Sequence, residues 1–348
     1  MKLSVFSAKP YDKKYLDAAV ARAGVDVDVT YHEFPLNPTT ATLLQPTDFV
    51  SVFVNDALPA SVIEKLPSLG VRGVLLRCAG FNNVDLDAAA AASLPVANVP
   101  SYSPEAVAEF AVALTQTLNR RTHKAYNRAR EGNFALEGLM GRTLSGKTVG
   151  VVGTGRIGLA AARIFRGFGC EVLAHDPYPG EELGAMGGRY APLDEVLASA
   201  DVLSLHCPLA PSTRHIIDAA ALAKMKDGVL LVNTSRGGLV DTPALVAALK
   251  SKKVGGVALD VYEDEGGLFY DDHSHDIIHD DVLMRLMTFP NVLVTGHQAF
   301  FTEEALEEIS GCVLRNMVAI REGGGEGCEN ELTRKHVNKG EDEPVRNV

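Results

Sequence analysis

The chain has 348 residues, more than one hydrophobic core usually serves, so its length predicts two domains. Apolar residues at 46% and charged residues at 22% fit a packed globular protein, and no run approaches the apolar length of a membrane span. The formal charge of −11 argues against a phosphate-neutralising surface and so against nucleic acid as a main partner. The five cysteines, Cys78, Cys170, Cys207, Cys312 and Cys328, form no C-x-x-C pair and read as reduced thiols of a cytoplasmic protein.

The opening MKLSVFSAKP reads as a first strand, not as a signal peptide. Candidate strands at residues 3–6, 49–54, 71–77 and 96–99 alternate with helical stretches, an α/β pattern. Ser103-Pro104-Glu105 is a helix start, and one long helix is expected over about 104–130. Its first half is apolar, which suggests burial between domains or subunits; its second half, with Arg120, Arg121, Lys124, Arg128 and Arg130, reads as a solvated face. A second series of strands follows at 148–152, 171–175, 202–206, 229–233, 257–259 and 292–295, with helical patterns between most of them. That is the signature of a doubly wound parallel sheet. An amphipathic helix is expected from Thr302 to about Arg321, and the Gly-, Glu-, Lys- and Asn-rich residues 333–348 as a disordered tail.

Gly153-Thr154-Gly155-Arg156-Ile157-Gly158 follows a strand and opens a helix, the context that the dinucleotide fingerprint requires. Gly153 permits the tight turn, Gly155 lets a pyrophosphate reach the backbone, and Gly158 allows close helix–strand packing. Asp176, at the end of the next strand, can accept bonds from an adenosine ribose and would repel a 2′-phosphate, which favours NAD over NADP. Arg236, His297 and either Glu263 or Glu265 lie near the ends of later strands. Reduction of a 2-keto acid calls for those three types: a guanidinium fork for the carboxylate, an imidazole to protonate the carbonyl oxygen, and a carboxylate to brace the imidazole. Spacing does not choose between the two glutamates.

Nine runs resemble the D-2-hydroxyacid dehydrogenases, in order from residue 1 to about 332: MKLSVFSAKPYDKKYLDAA, RCAGFNNVDLDAA, GKTVGVVGTGRIG, HDPYP, SLHCPL, VNTSRGGLVD, DVYEDE, HDDVLMRL and VTGHQAF. The likeness is greatest to the fermentative members from Gram-negative bacteria, which implies reduction of pyruvate to D-lactate with NADH. It implies Arg236, Glu265 and His297 as the catalytic set, with Glu265 rather than Glu263 beside the histidine. It adds Arg156, Ile157, Cys207, Pro208, Thr213, Thr234, Ser235, Arg236 and Asp260 to the cofactor site, and assigns Ala79, Gly80, Tyr102, Arg236 and Phe300 to the substrate. The implied architecture is a Rossmann NAD domain (102–298) inserted into a flavodoxin-like substrate domain (1–101 and 299–332), the active site in the cleft, in a homodimer or homotetramer. Pocket volume separates pyruvate from glyoxylate, hydroxypyruvate or phenylpyruvate. A non-catalytic NAD-sensing protein would have no need of the intact Arg, Glu and His set. His273, His275 and His279 lie among aspartates, but their spacing matches no zinc pattern, and their segment reads as a surface insertion; no metal is expected.

Overall fold

Short runs of aliphatic and β-branched residues pair as parallel strands in both halves of the chain. The computed structural model describes residues 1–339. It divides into two units: Met1–Ser103 with the chain from Phe301 onward, and Pro104–Phe300.

In the first unit β1 (Lys2–Val5), β2 (Asp28–Tyr31), β3 (Phe49–Val52), β4 (Gly73–Leu76) and β5 (Val96–Ala97) form one parallel sheet in the order β2-β1-β3-β4-β5. This is the flavodoxin-like order. β3 and β4 are buried at every position, as parallel strands covered on both faces must be. β2 is a polar edge strand of alternating exposure, which its residue pattern does not announce. The helix Glu303–Gly323 starts where the Thr302 hydroxyl accepts the Ala305 N–H at 3.2 Å. It lays Ile309, Val313, Met317 and Ile320 against β4 and the helix Pro10–Ala23.

The expected disordered tail is corrected over its first part. Leu332 donates its N–H to the Val96 carbonyl at 2.7 Å, and Thr333 Oγ1 accepts the Val96 N–H at 3.1 Å. A helix, Thr333–Lys339, then packs on the helix Leu86–Ala91. Two buried anchors, Cys328 and Leu332, hold a segment that is otherwise mostly polar. Composition registered the polar face and missed the anchors. Residues 340–348 lie outside the described residues.

The second unit carries β6 (Thr148–Val152), β7 (Glu171–His175), β8 (Arg189–Tyr190), β9 (Val202–Leu205), β10 (Val229–Asn233), β11 (Val254–Leu259) and β12 (Val292–Val294). All are parallel, in the order β12-β11-β10-β9-β6-β7-β8. Counted from β6, this is the Rossmann order with a seventh strand. The long helix differs from expectation. It is two helices, Pro104–Arg120 and Thr122–Arg130, broken at Arg121 with φ +52°. A distant segment causes the break: Asn119 exchanges two hydrogen bonds with the Arg142 backbone (2.8 and 3.0 Å), and the Arg121 guanidinium donates to the Gly138 carbonyl. The apolar half packs into this unit's own core, with Ala111, Leu114 and Leu118 against Val149, Val151 and Phe165. Among the described residues no helix is long and apolar enough to cross a membrane.

Candidate active site

Two neighbourhoods lie at the carboxyl ends of the second sheet, where open α/β sheets bind ligands. The first is the glycine turn after β6. Gly153 has φ +92°, and a Cβ there would sit 2.5 Å from the Cys207 nitrogen, so only glycine fits. A Cβ at Gly158 would collide with the Gly153 carbonyl at 2.0 Å, whereas one at Gly155 would meet nothing within 4 Å. That open space over Gly155 lies at the amino end of the helix Arg156–Gly167, whose free N–H groups favour a phosphate. Arg156 is exposed there and Ile157 half-buried against the core.

Asp176 follows β7 and accepts the Thr154 N–H at 2.7 Å, the Thr154 hydroxyl at 3.0 Å and the Tyr178 N–H at 2.9 Å. The carboxylate is therefore fixed beside the glycine turn, with lone pairs left over for a ribose hydroxyl. Ser235 Oγ donates to the Cys207 carbonyl at 2.7 Å and ties the β9 and β10 loops together. Thr234 is buried and its Oγ1 has no hydrogen-bond partner, an unmet polar group facing the same loops. These features fit a bound dinucleotide. Burial pushes the Cys207 thiol up to about 12, which leaves it an inert packing group. At Thr213 the hydroxyl accepts the Ala210 N–H at 2.8 Å and donates to the Pro208 carbonyl at 2.6 Å, which closes the turn after β9.

The second neighbourhood follows β10, β11 and β12, which are adjacent. His297 Nδ1 lies 2.8 Å from Glu265 Oε1, and Glu265 Oε2 accepts the Tyr262 N–H at 3.0 Å. Burial raises the Glu265 pKa, but the bond to His297, the charges of His297 and Arg236 and the Tyr262 N–H outweigh it and hold the carboxyl below its ordinary range. The second glutamate is spoken for elsewhere. Glu263 Oε1 sits 2.7 Å from both Arg214 Nη2 and His215 Nε2. Arg236 occupies a tight turn in which Asn233 Nδ2 donates to its carbonyl at 2.8 Å. The turn lies against Tyr262: a Cβ on the next residue, Gly237, would fall 2.0 Å from the Tyr262 carbonyl carbon.

Asp260 is wholly buried and accepts the Thr295 hydroxyl at 2.5 Å and the Gln298 and Ala299 N–H groups at 3.0 and 2.8 Å. It thereby holds the loop that presents His297, which adopts φ +53° and donates its own N–H to the Asp260 carbonyl at 2.7 Å. No motif or spacing points to Tyr270. It too has a left-handed backbone, φ +73°; its hydroxyl donates to the His297 carbonyl at 3.2 Å, and its ring lies 5.8 Å from the imidazole. The segment after Glu265, expected as a surface insertion, thus packs Leu268 and Phe269 on the core and returns Tyr270 to the histidine. His273 pairs with Asp276 at 3.3 Å, and among the described residues no group of three or more His, Cys, Asp or Glu is placed to hold a metal.

Ala79, Gly80 and Tyr102 belong to the first unit, Phe300 to the second. The turn after β4 is fixed from behind: Arg77 pairs with Asp12 at 3.1 Å and donates to the Phe6 carbonyl at 2.8 Å, and Asn98 Nδ2 donates to the Ala79 carbonyl at 2.7 Å.

Residues 112–299 match the family model "D-isomer specific 2-hydroxyacid dehydrogenase, NAD binding domain". The chain is 61% identical to the 2-hydroxyacid dehydrogenase A of Aspergillus oryzae, over 99% of this chain and all of that one. It is 59% identical to the D-lactate dehydrogenase kk1H of Curvularia clavata, over 91% of each. The apo-structure of D-lactate dehydrogenase from Escherichia coli superposes with a TM-score of 0.87 at 48% identity, over 95% of this chain and 100% of that one.

Proposed function

From the premise that the chain belongs to the D-isomer specific 2-hydroxyacid dehydrogenase family and is an NAD-dependent oxidoreductase, we propose that it interconverts pyruvate and D-lactate, with His297 as the proton donor. The observation that carries the reading is the 2.8 Å His297–Glu265 pair at the end of a strand beside the Arg236 turn, in the same unit as the dinucleotide turn.

NADH, when bound, supplies the hydride that reduces the substrate carbonyl. The residues of this chain do the rest. Gly153, Gly155 and Gly158 open the backbone to the pyrophosphate, and Asp176 accepts from the ribose. Arg236 grips the substrate carboxylate with two parallel N–H groups and stabilises charge growing on the carbonyl oxygen. His297 gives up its Nε2 proton to that oxygen while Glu265 holds Nδ1, which fixes the tautomer and the ring plane. Tyr270 and Asp260 anchor the backbone on either side of the histidine, through its carbonyl and its N–H.

The remaining assignments are part of the same proposal. Residues 1–101 and 299–332 serve as the substrate domain, with Ala79 and Gly80 N–H groups on the carboxylate and Tyr102 and Phe300 in the pocket; residues 102–298 serve as the NAD domain. The protein acts in the cytoplasm as a homodimer or homotetramer; its five free, buried cysteines suit a reducing compartment.

The test is steady-state oxidation of NADH with pyruvate, glyoxylate, hydroxypyruvate and phenylpyruvate, followed by chiral chromatography of the products. Pyruvate should give the highest kcat/KM and D-lactate as sole product. A higher kcat/KM for any of the others would move the activity elsewhere within the family, and L-lactate would overturn the geometry.

A further inference from the structure

The turn after β4 is held at each of its carbonyls. Cys78 accepts the Val99 N–H at 3.1 Å, Ala79 accepts Asn98 Nδ2 at 2.7 Å, and Gly80 accepts the Cys78 thiol at 3.2 Å. In a trans peptide the N–H points opposite to the carbonyl of the same plane. The first two bonds therefore aim the Ala79 and Gly80 N–H groups away from Val99 and Asn98. Among the described residues those N–H groups donate to nothing within the protein, and both residues are half-exposed.

The side chain that holds Ala79 is itself clamped by the last part of the chain. Asn98 directly follows β5 and is 1% exposed. Its N–H donates to the Asn330 carbonyl at 3.3 Å, and its carbonyl accepts Asn316 Nδ2 at 2.8 Å. Asn316 lies buried on the helix Glu303–Gly323. Its far end decides which way its amide faces: Oδ1 accepts Asn330 Nδ2 at 2.9 Å and the Cys328 thiol at 3.5 Å, which leaves Nδ2 for Asn98. Asn330 Nδ2 also reaches Cys312 Sγ at 3.3 Å. Three amides thus run in one line, from Asn330 through Asn316 and Asn98 to the Ala79 carbonyl, and each link joins segments distant in sequence. Buried amides are costly to leave unpaired, so a shift at one end of such a line disturbs the next member. Ile309, Val313, Met317 and Ile320 already seat the helix by burial. The asparagines add direction, and what they direct is the turn.

We propose that Asn98, Asn316 and Asn330 are positioning residues for the substrate carboxylate, so that the segment 328–330 sets the affinity for 2-keto acids from behind the turn. The inference rests on the assignment of the Ala79 and Gly80 N–H groups to that carboxylate. Removing a link loosens the two donors, which costs binding in the ground state and the transition state alike.

The experiment is steady-state kinetics of Asn98→Ala, Asn330→Ala and the double variant. It reads KM and kcat for pyruvate, KM for NADH, and the inhibition constant of oxamate, a carboxylate of similar shape. Each single variant should raise KM for pyruvate and the oxamate constant about fivefold, the effect of one hydrogen bond, with kcat and KM for NADH within about twofold. Both substitutions act through one line, so the double variant should also stay near fivefold. Independent effects would multiply to about twenty-five-fold and overturn the relay. A merely structural role would lower kcat or the unfolding temperature and leave oxamate inhibition of the folded enzyme unchanged, which also overturns it. Should Asn98→Ala fold poorly, the half-buried Asn330 carries the test alone, because its side chain reaches the turn only through the other two. A wild-type enzyme that reduced no 2-keto acid would overturn the activity itself and this inference with it. An active enzyme whose variants kept both constants would overturn the relay alone.

Discussion

His206 makes a quantitative prediction about acid stability. Its ring is half-buried beneath the dinucleotide turn. Nε2 lies 2.8 Å from Ser204 Oγ, while Nδ1 is closed off from solvent without a partner. A proton placed on Nδ1 would be neither hydrated nor bonded, and burial accordingly lowers the pKa to about 4. The unfolded chain binds that proton near pH 6.5. Because the folded pKa is the lower one, the unfolded state holds more protons between these values, so stability falls as pH drops below about 6.5 and levels off near 4. At pH 5 the cost reaches a ceiling of about 2 kcal/mol. The comparison is urea unfolding of wild type and His206→Gln at pH 7.5 and pH 5, followed by far-UV circular dichroism because the chain has no Trp. The transition to read is the one that NADH shifts upward, which marks the nucleotide-binding unit. Glutamine cannot titrate, so the variant should lose about 2 kcal/mol less than wild type over this interval, whatever its stability at pH 7.5. Equal losses in the two proteins would refute the argument and put His206 in contact with water.

Three further outcomes follow from the site. Glu265→Gln should lower kcat by roughly a hundredfold, because the imidazole loses its ionised brace, whereas Glu263→Gln, which faces Arg214 and His215, should stay within about threefold; a steady-state comparison that reversed this order would reassign the pair. Asp176→Ala should reduce the kcat/KM ratio of NADH to NADPH by roughly tenfold, and an unchanged ratio would mean that the carboxylate serves only Thr154 and Tyr178. Tyr270→Phe keeps the ring and removes one hydrogen bond of about 1 kcal/mol, so kcat should fall about fivefold with KM for NADH unchanged; a change in KM alone would place Tyr270 outside the positioning of His297.

What could be seen in the sequence was what local chemistry demands. The glycine turn was legible because its roles reside in single residues: Gly153 at φ +92° and Gly158 packed on the Gly153 carbonyl tolerate no side chain. The strands buried on both faces were legible for the same reason, as apolar runs that only a covered parallel sheet explains. Features made by distant contacts were not. Spacing left Glu263 and Glu265 equal, and they are separated only by Arg214 and His215, about fifty positions upstream, which claim the first. The break at Arg121 depends on Asn119 meeting Arg142, and the fold of residues 331–339 on Glu331 bridging Ala97. Tyr270 reaches His297 across a loop whose histidines and aspartates drew attention to a metal instead.

The claim on which everything else rests is that His297 delivers the proton. Transient kinetics of His297→Asn, with NADH bound beforehand and pyruvate added, test it most directly. The account predicts unchanged NADH affinity and a fall in the rate of NADH oxidation of roughly a hundredfold to ten-thousandfold, the range for loss of a general acid. A variant that bound NADH normally and kept most of the wild-type rate would contradict it.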